Sequence, residues 1–199
     1  QDWVGAQTGL LDQLTVLCGR EGHALALDLR ALSLQPVELH LGGWQFVTLD
    51  SGARHANAAS GYNARRAECA RAAHLLGRES LRDVSLEDAA SLPHPLDARV
   101  RHVVTENARV RDAARALRAG DFAGVGRLLD ASHASLRDDF EVSVPEVEET
   151  VALMRGVGAA GARMIGGGFG GSVLALLPPG VRAPAGSVTV TPAAAARLL

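Results

Sequence analysis

Residues 163–177 read RMIGGGFGGSVLALL, and this stretch decides how the fold is interpreted. Two strand-like runs, RMI and SVLALL, flank a turn that has five glycines in six positions. Glycine permits positive φ and close backbone approach, so the turn is either a plain tight turn or one pressed against a substrate. Gly166, Gly168 and Gly171 match G-x-G-x-x-G, but a strand-like run follows instead of a helix, which excludes a dinucleotide fingerprint.

The rest of the chain combines helices with short strands in irregular order. Apolar spacing predicts helices over 3–18, 57–76, 86–92, 97–119, 121–132 and 145–155. Alternating patterns predict further strands over 23–28, 36–40, 44–50 and 187–191. Because no regular βαβ alternation is visible, we assign an α+β fold. Ser143-x-x-Glu146 predicts a capping box for the last helix, and Gly42-Gly43 is the candidate domain boundary.

Composition excludes several classes of function. The 199 residues are 47% apolar with a net charge of −2, and no basic stripe favours nucleic acid. The two cysteines form no C-x-x-C pair, and without H-E-x-x-H or a Cys/His cluster we expect no metal site made by this chain. No apolar run reaches the ~18 residues of a membrane helix and no signal peptide opens the chain. We therefore expect a soluble, cytoplasmic protein.

The first residues already read as helical, with neither an initial Met nor a capping segment before them. We therefore expect a fragment, cut within or beside a structural element.

Two further segments are candidates for chemistry. In TGLLDQ (8–13), Asp12 lies mid-helix among apolar neighbours, and a buried carboxylate would need a functional reason because its charge is costly to desolvate. The alternative is a solvent-facing Asp on an amphipathic helix. In DSGARHANAASGYNARR (50–66), polar groups at a strand end and a helix start can contact a ligand. The alternative is a loop with an ordinary N-cap and solvated arginines.

Together these segments resemble the galactokinases, a family of GHMP small-molecule kinases. TGLLDQ is similar to the family's C-G-I-M-D-Q, and residues 50–77 to its N-S-x-x-R-H-x-x-x-x-x-Y-x-x-R-R-x-x-C segment. RHVVTENARV (101–110), SHASLRDDFEVSVPEVE (132–148) and GARMIGGGFGGS (161–172) resemble their counterparts in the same order. The resemblance spans residues 3 to about 177.

The resemblance implies a fold and a reaction. Residues 1–42 would end an N-terminal domain of ribosomal-S5-like type, and 43–199 would form the GHMP C-terminal domain with an antiparallel sheet and flanking helices. The reaction would be ATP-dependent phosphorylation of the galactose C1 hydroxyl, with Mg²⁺ on the nucleotide. Asp12 matches the catalytic carboxylate, and Gly9 and Tyr62 match contacts to the sugar. The glycines that would lie against the active site are Gly166, Gly167, Gly168, Gly170 and Gly171.

This chain also departs from the family pattern. The Gly-Leu-Ser-Ser-Ser phosphate loop is absent, so ATP and Mg²⁺ would be bound mainly by an N-terminal half, and this chain would be inactive alone. Residues 178–186, PPGVRAPAG, are too short and proline-rich for the family's usual helix there, which either exposes apolar sheet surface or reflects a trimmed lineage. We expect a monomer. The alternatives are a sugar-sensing regulatory protein without turnover and a non-functional remnant.

Overall fold

A four-stranded antiparallel sheet forms the centre of the molecule, as expected for the α+β class. The computed structural model of the chain describes residues 10–54 and 58–196. Its strands have the order β4-β5-β3-β6. They are β3 (Gln45–Asp50), β4 (Gly161–Ile165), β5 (Ser172–Leu177) and β6 (Val188–Thr189). Asp50 pairs with Ser172 and Ile165 also pairs with Ser172, so the glycine-rich turn lies at the end of β3.

Helices surround this sheet. They are α1 (Leu11–Cys18), α2 (Ala58–Leu75), α3 (Leu86–Ala89), α4 (Leu96–Ala119), α5 (Phe122–Asp138) and α6 (Pro145–Gly156), with a 3-10 turn at Leu81–Asp83. Predicted helices and strands correspond to these elements with shifted ends, and positions 3–9 and 57 of the predicted helices lie outside the described residues.

Side chains on β5 alternate between two cores, as the period of two in a strand requires. Val173, Ala175 and Leu177 are fully buried in the main core, together with Met154 of α6. Leu176, also fully buried, points into a second cluster with Phe122 and Val125 of α5 and with Trp44 and Phe46 beside it. Strand β5 is therefore covered on both faces, which explains its nearly continuous apolar sequence.

A third cluster joins the helices that follow β3. Its buried members come from α2, the 3-10 turn, α3 and α4: Ala72, Ala73, Leu81, Val84, Ala89, Leu96 and Val100. Capping holds the short α3 in place, because the Ser85 hydroxyl accepts the Asp88 N–H while the Asp88 side chain accepts the Ser85 N–H.

A two-stranded hairpin, β1 (His23–Asp28) and β2 (Ser33–Glu38), precedes the sheet. The prediction began β2 at Pro36, but the strand starts three residues earlier and Pro36 lies inside it opposite Leu25. Proline is tolerated there because each strand of a two-stranded hairpin is an edge strand. The ion pairs Arg30–Asp83 (2.7 Å) and Arg82–Asp28 (2.5 Å) tie the hairpin to the 3-10 turn across the predicted boundary at 42–43. The division into 1–42 and 43–199 stays a prediction.

The capping box predicted for α6 is wrong. Val144 is the N-cap residue and Pro145 is the first helical residue, the position that proline favours. This places Ser143 outside the helix, where its hydroxyl donates to Glu148.

The connection 178–186 holds no helix, as its prolines predicted. Val181 and Ala183 within it pack against the main core, so the short connection still covers apolar surface. In the part of the chain that the structure describes, no helix combines the length and apolarity needed to cross a membrane.

The segment after β6 runs from the sheet back to α1. The Val190 N–H donates to the Phe46 carbonyl (2.8 Å), which continues the pairing of β6 with β3. The Gly22 N–H donates to the Pro192 carbonyl (3.4 Å), and the Ala196 N–H donates to the Val16 carbonyl (2.9 Å).

Candidate functional site

A tight polar turn follows the end of β3 and forms the first part of the candidate site. Arg54 forms two parallel hydrogen bonds to Asp50, from Nη2 to Oδ2 (2.7 Å) and from Nη1 to Oδ1 (3.0 Å). The Gly52 N–H also donates to Asp50 Oδ1 (3.0 Å). The Arg54 guanidinium and then the Gly52 N–H lower the pKa of Asp50 to about 2. The Asp50 carboxylate is therefore ionised, and the hydrogen bonds that it accepts stabilise the turn.

Ser51 joins this turn to the glycine-rich loop, 166–171. Its backbone N–H and its hydroxyl both donate to the carbonyl oxygen of Gly171, at 2.9 Å and 2.6 Å. Gly170 has φ +132°, and a Cβ there would lie 2.8 Å from the Ala53 carbonyl oxygen. The loop therefore needs glycine at 170 both for its conformation and for its approach to the 51–53 backbone.

Helix α2 presses on the other side of the loop. The ring of Phe169 packs on Gly61, where a Cβ would lie 2.5 Å from Phe169 Cε2. Next to Gly61, the half-buried ring of Tyr62 lies beside Gly167, whose Cβ would be 3.7 Å from Tyr62 Cδ2. The structure thus brings together Tyr62 and the glycine-rich loop, which the sequence separates by about a hundred residues.

The loop has a third support in the segment before α6. The Phe169 N–H donates to the Val142 carbonyl (2.7 Å), although Phe169 has a left-handed φ of +61°. Gly168, at φ +89°, lies so close to Val142 that a Cβ would be 2.7 Å from the Val142 Cβ. Hydrogen bonding and close packing therefore hold Phe169 in a conformation that costs a non-glycine residue about 1–3 kcal/mol.

Known proteins resemble this chain in sequence and in fold. Residues 113–186 match the family model for the GHMP kinases C terminal domain. The crystal structure of Lactococcus lactis galactokinase complexed with galactose superposes with a TM-score of 0.81 at 35% identity, covering 88% of this chain and 48% of that chain. Residues 113–186 (the GHMP domain) thus resemble the C-terminal domain of the GHMP kinases.

Sequence comparison extends the similarity beyond the GHMP domain. A galactokinase of Thermotoga neapolitana is 43% identical over 180 residues, which are 90% of this chain and 51% of the relative. A galactokinase of Mycobacterium tuberculosis is 46% identical over 183 residues, which are 89% of this chain and 50% of the relative. The chain thus spans about half the length of the curated relatives it matches.

Asp12, the predicted catalytic carboxylate, lies apart from the loop contacts of the GHMP domain. It is an exposed residue in the first turn of α1, a helix with no buried residue. Its carboxylate makes no hydrogen bond or ion pair within residues 10–54 and 58–196. Its role therefore stays a prediction, as does that of Gly9, which lies outside the described residues.

The glycine-rich loop is also supported by residues whose roles are not visible in the sequence. Ser51, Gly61 and Val142 gave no individual signal, because an ordinary serine, glycine or valine is typical of many turns and helices. Phe169 interrupts the glycine run, and a single bulky residue among glycines indicates that its side chain packs against another part of the fold.

A separate groove lies between the hairpin and α4. Its volume is about 510 Å³, and none of the predicted site residues lines it. Within the described ranges, no three or more His, Cys, Asp or Glu side chains are grouped so that they could hold a metal ion.

Proposed function

We propose that this chain supplies the sugar-facing part of a galactokinase, which transfers the γ-phosphoryl group of ATP to the C1 hydroxyl of galactose. The observation that carries the proposal is the packing of the Tyr62 ring beside the glycine-rich loop, where a Cβ on Gly167 would lie 3.7 Å from Tyr62 Cδ2. The loop lies within the residues that match the GHMP kinases C terminal model. Identities of 43–46% to galactokinases support the choice of galactose. The Lactococcus lactis galactokinase structure contains galactose.

Each predicted residue has a chemical role in this proposal. The Asp12 carboxylate accepts a hydrogen bond from the C1 hydroxyl and takes up its proton as that oxygen attacks. Tyr62 offers an amphipathic ring and a hydroxyl that donates to, or accepts from, a sugar hydroxyl. Gly9 places backbone next to the sugar. Phosphoryl transfer depends mainly on positioning, so an orienting carboxylate contributes even when proton removal is late.

The glycine-rich loop brings backbone groups close to the substrate. Gly166, at φ +96°, has nothing within 4 Å of where a Cβ would lie, so its backbone is open to a bound molecule. ATP, when bound, supplies the phosphoryl group. We propose that ATP and Mg²⁺ are held mainly by a part of the protein other than this chain, since the Gly-Leu-Ser-Ser-Ser phosphate loop of the galactokinases does not occur in residues 1–199. The proposed enzyme acts in the cytoplasm.

The direct test is galactose-dependent ADP release by the full-length protein that carries this chain. Asp12→Asn is expected to reduce turnover by roughly 10²–10⁴-fold, because the amide cannot accept the proton. Galactose binding, measured by calorimetry without ATP, is expected to stay within about threefold of wild type. Glu21→Gln is the matched control, since it makes the same change at an exposed acid near the same helix.

The same two measurements separate this function from its alternatives. Saturable galactose binding without ADP release by the wild type would indicate a sugar sensor. Near-normal turnover of Asp12→Asn would remove the base assignment and leave the kinase activity to other residues.

A further inference from the structure

Arg99, near the start of α4, is the largest fully buried side chain in the described part of the molecule, with 1% of its surface exposed. A buried cation is costly unless each of its donors is paired. Each guanidinium nitrogen donates a hydrogen bond: Nε to Glu68 Oε2 (2.6 Å), Nη2 to Glu141 Oε2 (2.6 Å) and Nη1 to the Asp139 carbonyl (2.5 Å). Burial lowers the pKa of Arg99, but the hydrogen bonds to Glu68 and Glu141 outweigh it and raise the pKa.

These three partners lie on two different parts of the candidate site. Glu68 belongs to α2, the helix that carries Tyr62, and Arg65 on the same helix bonds both Glu68 (2.9 Å) and Glu141 (3.4 Å). Asp139 and Glu141 belong to the segment that supports the glycine-rich loop. Arg99 therefore connects the Tyr62 helix with the loop support.

Arg99 holds the side chain of a residue in the loop support whose backbone is unusual. Glu141 has a left-handed φ of +53°, a conformation that disfavours a residue with a Cβ. The next residue, Val142, is 3% exposed, and its carbonyl accepts the N–H of Phe169. Fixing the backbone conformation of Glu141 therefore fixes the direction of the Val142 carbonyl, which accepts the hydrogen bond from the loop.

We infer that Arg99 is a positioning residue, which orients the glycine-rich loop relative to Tyr62 through Glu141 and Val142. It contacts neither the loop nor Tyr62 itself and acts only through its partners. A stability role alone would not require this arrangement, because buried ion pairs often contribute little net stability compared with apolar packing. The effect of Arg99 on the orientation of the loop is a claim about the structure alone. Its effect on the KM for galactose rests on the proposed function.

The structural claim is tested by hydrogen exchange at the loop in the full chain. Arg99→Met retains side-chain bulk without the donors, and Arg99→Lys retains the charge without the planar fork. We expect the amide of Phe169 to exchange at least roughly tenfold faster in Arg99→Met than in wild type, with Arg99→Lys recovering only part of the protection. Val100→Ala is the control, since Val100 is fully buried on the same helix but belongs to the cluster formed with α2, the 3-10 turn and α3.

The outcome is decided by comparing exchange at Phe169 in Arg99→Met and Val100→Ala at equal free energy of unfolding. Val100→Ala is expected to lower the free energy of unfolding without opening the loop selectively. Exchange at Phe169 that stays at the wild-type rate in Arg99→Met, or rises equally in Val100→Ala, overturns the inference. If Arg99→Met does not fold, Glu141→Gln serves instead, because the Glu141 side chain is 46% exposed and its loss of charge is accommodated by water.

The functional claim has its own measurement. In the full-length protein, Arg99→Lys is expected to raise KM for galactose about tenfold, with kcat within about threefold of wild type, whereas Val100→Ala keeps the wild-type KM. An unchanged KM with faster loop exchange would remove the link to the substrate. Failure of the wild type to release ADP would overturn the proposed function, while the exchange experiment would still decide the role of Arg99.

Discussion

The ring of Phe169 occupies the space that a side chain on Gly61 would need. A Cβ on Gly61 would lie 2.5 Å from Phe169 Cε2 and 2.6 Å from Cζ, which is closer than any relaxed carbon contact. Phe169 cannot move away freely, because its N–H is bonded to the Val142 carbonyl and its backbone is left-handed. The glycine at 61 and the phenylalanine at 169 are therefore a fitted pair.

Gly61→Ala is expected to destabilise the fold by about 1–3 kcal/mol through overpacking against this ring, despite the better helix propensity of alanine. Denaturant unfolding of the chain measures this. Gly156→Ala in α6 is the control, since nothing lies within 4 Å of its Cβ position, and it is expected to be neutral or up to ~1 kcal/mol stabilising. Equal stability of the two variants would contradict the fitted pair.

Ser51→Ala is expected to lower the free energy of unfolding by about 0.5–1.5 kcal/mol. It removes the hydroxyl that donates to Gly171, while the Ser51 N–H keeps that carbonyl paired. The comparison variant is Ser91→Ala, whose exposed hydroxyl donates to the Asp88 carbonyl within one turn. A larger loss at position 91 than at 51 would show that the strand-to-loop bond contributes little.

His102 makes stability depend on pH in the acidic range. It is 7% exposed, stacks on Phe140 at 4.4 Å and has Ser135 as its hydrogen-bond partner. Desolvation by burial lowers its pKa to about 4, against opposing attraction from Glu106 and Asp139. Because the unfolded chain binds the proton with a pKa of about 6.5, this stabilisation is present above that pH and is lost as pH falls towards 4.

Between pH 7 and pH 5 this histidine is expected to remove about 2 kcal/mol from the free energy of unfolding. The measurement is denaturant unfolding of wild type and of His102→Gln at both pH values, because the difference between their slopes isolates this group from His133. His74→Gln, at an exposed position, is expected to keep the wild-type slope. A slope unchanged by His102→Gln would contradict the assignment.

The two thiols are expected to differ in reactivity. Burial raises the pKa of Cys69 to about 11, which leaves little thiolate near neutral pH, whereas Cys18 is exposed. In the folded 199-residue chain, alkylation should modify Cys18 at least roughly tenfold faster than Cys69, with both reacting in denaturant. Peptide mass spectrometry of a time course reads out both sites, and rapid modification of native Cys69 would count against its burial.

Local patterns in the sequence predicted most elements of the fold. The strand at 172–177 was predicted with its observed bounds because apolar residues start directly after the glycines and end directly before Pro178. Helix α5 was predicted to end at 132, yet it continues to Asp138 because Leu136 packs against the main core, a tertiary contact that local pattern does not contain.

The candidate site was only partly predictable for the same reason. Tyr62 and the glycine-rich loop were found as separate motifs, but their contact depends on Gly61 and Phe169 meeting in space. Arg99 gave no signal at all, because its partners Glu68 and Glu141 lie 31 and 42 residues away and its helix reads as an ordinary amphipathic one.

Two hydrogen bonds, from the Ala196 N–H to the Val16 carbonyl and from the Gly22 N–H to the Pro192 carbonyl, have a consequence for synthesis on the ribosome. The two residues of each bonded pair are separated by 170 to 180 positions in the chain, so translation delivers α1 long before the segment that contacts it. These contacts cannot form until residues 192–196 have left the exit tunnel. Helix α1 therefore lacks these partners while the sheet and its surrounding helices are being synthesised.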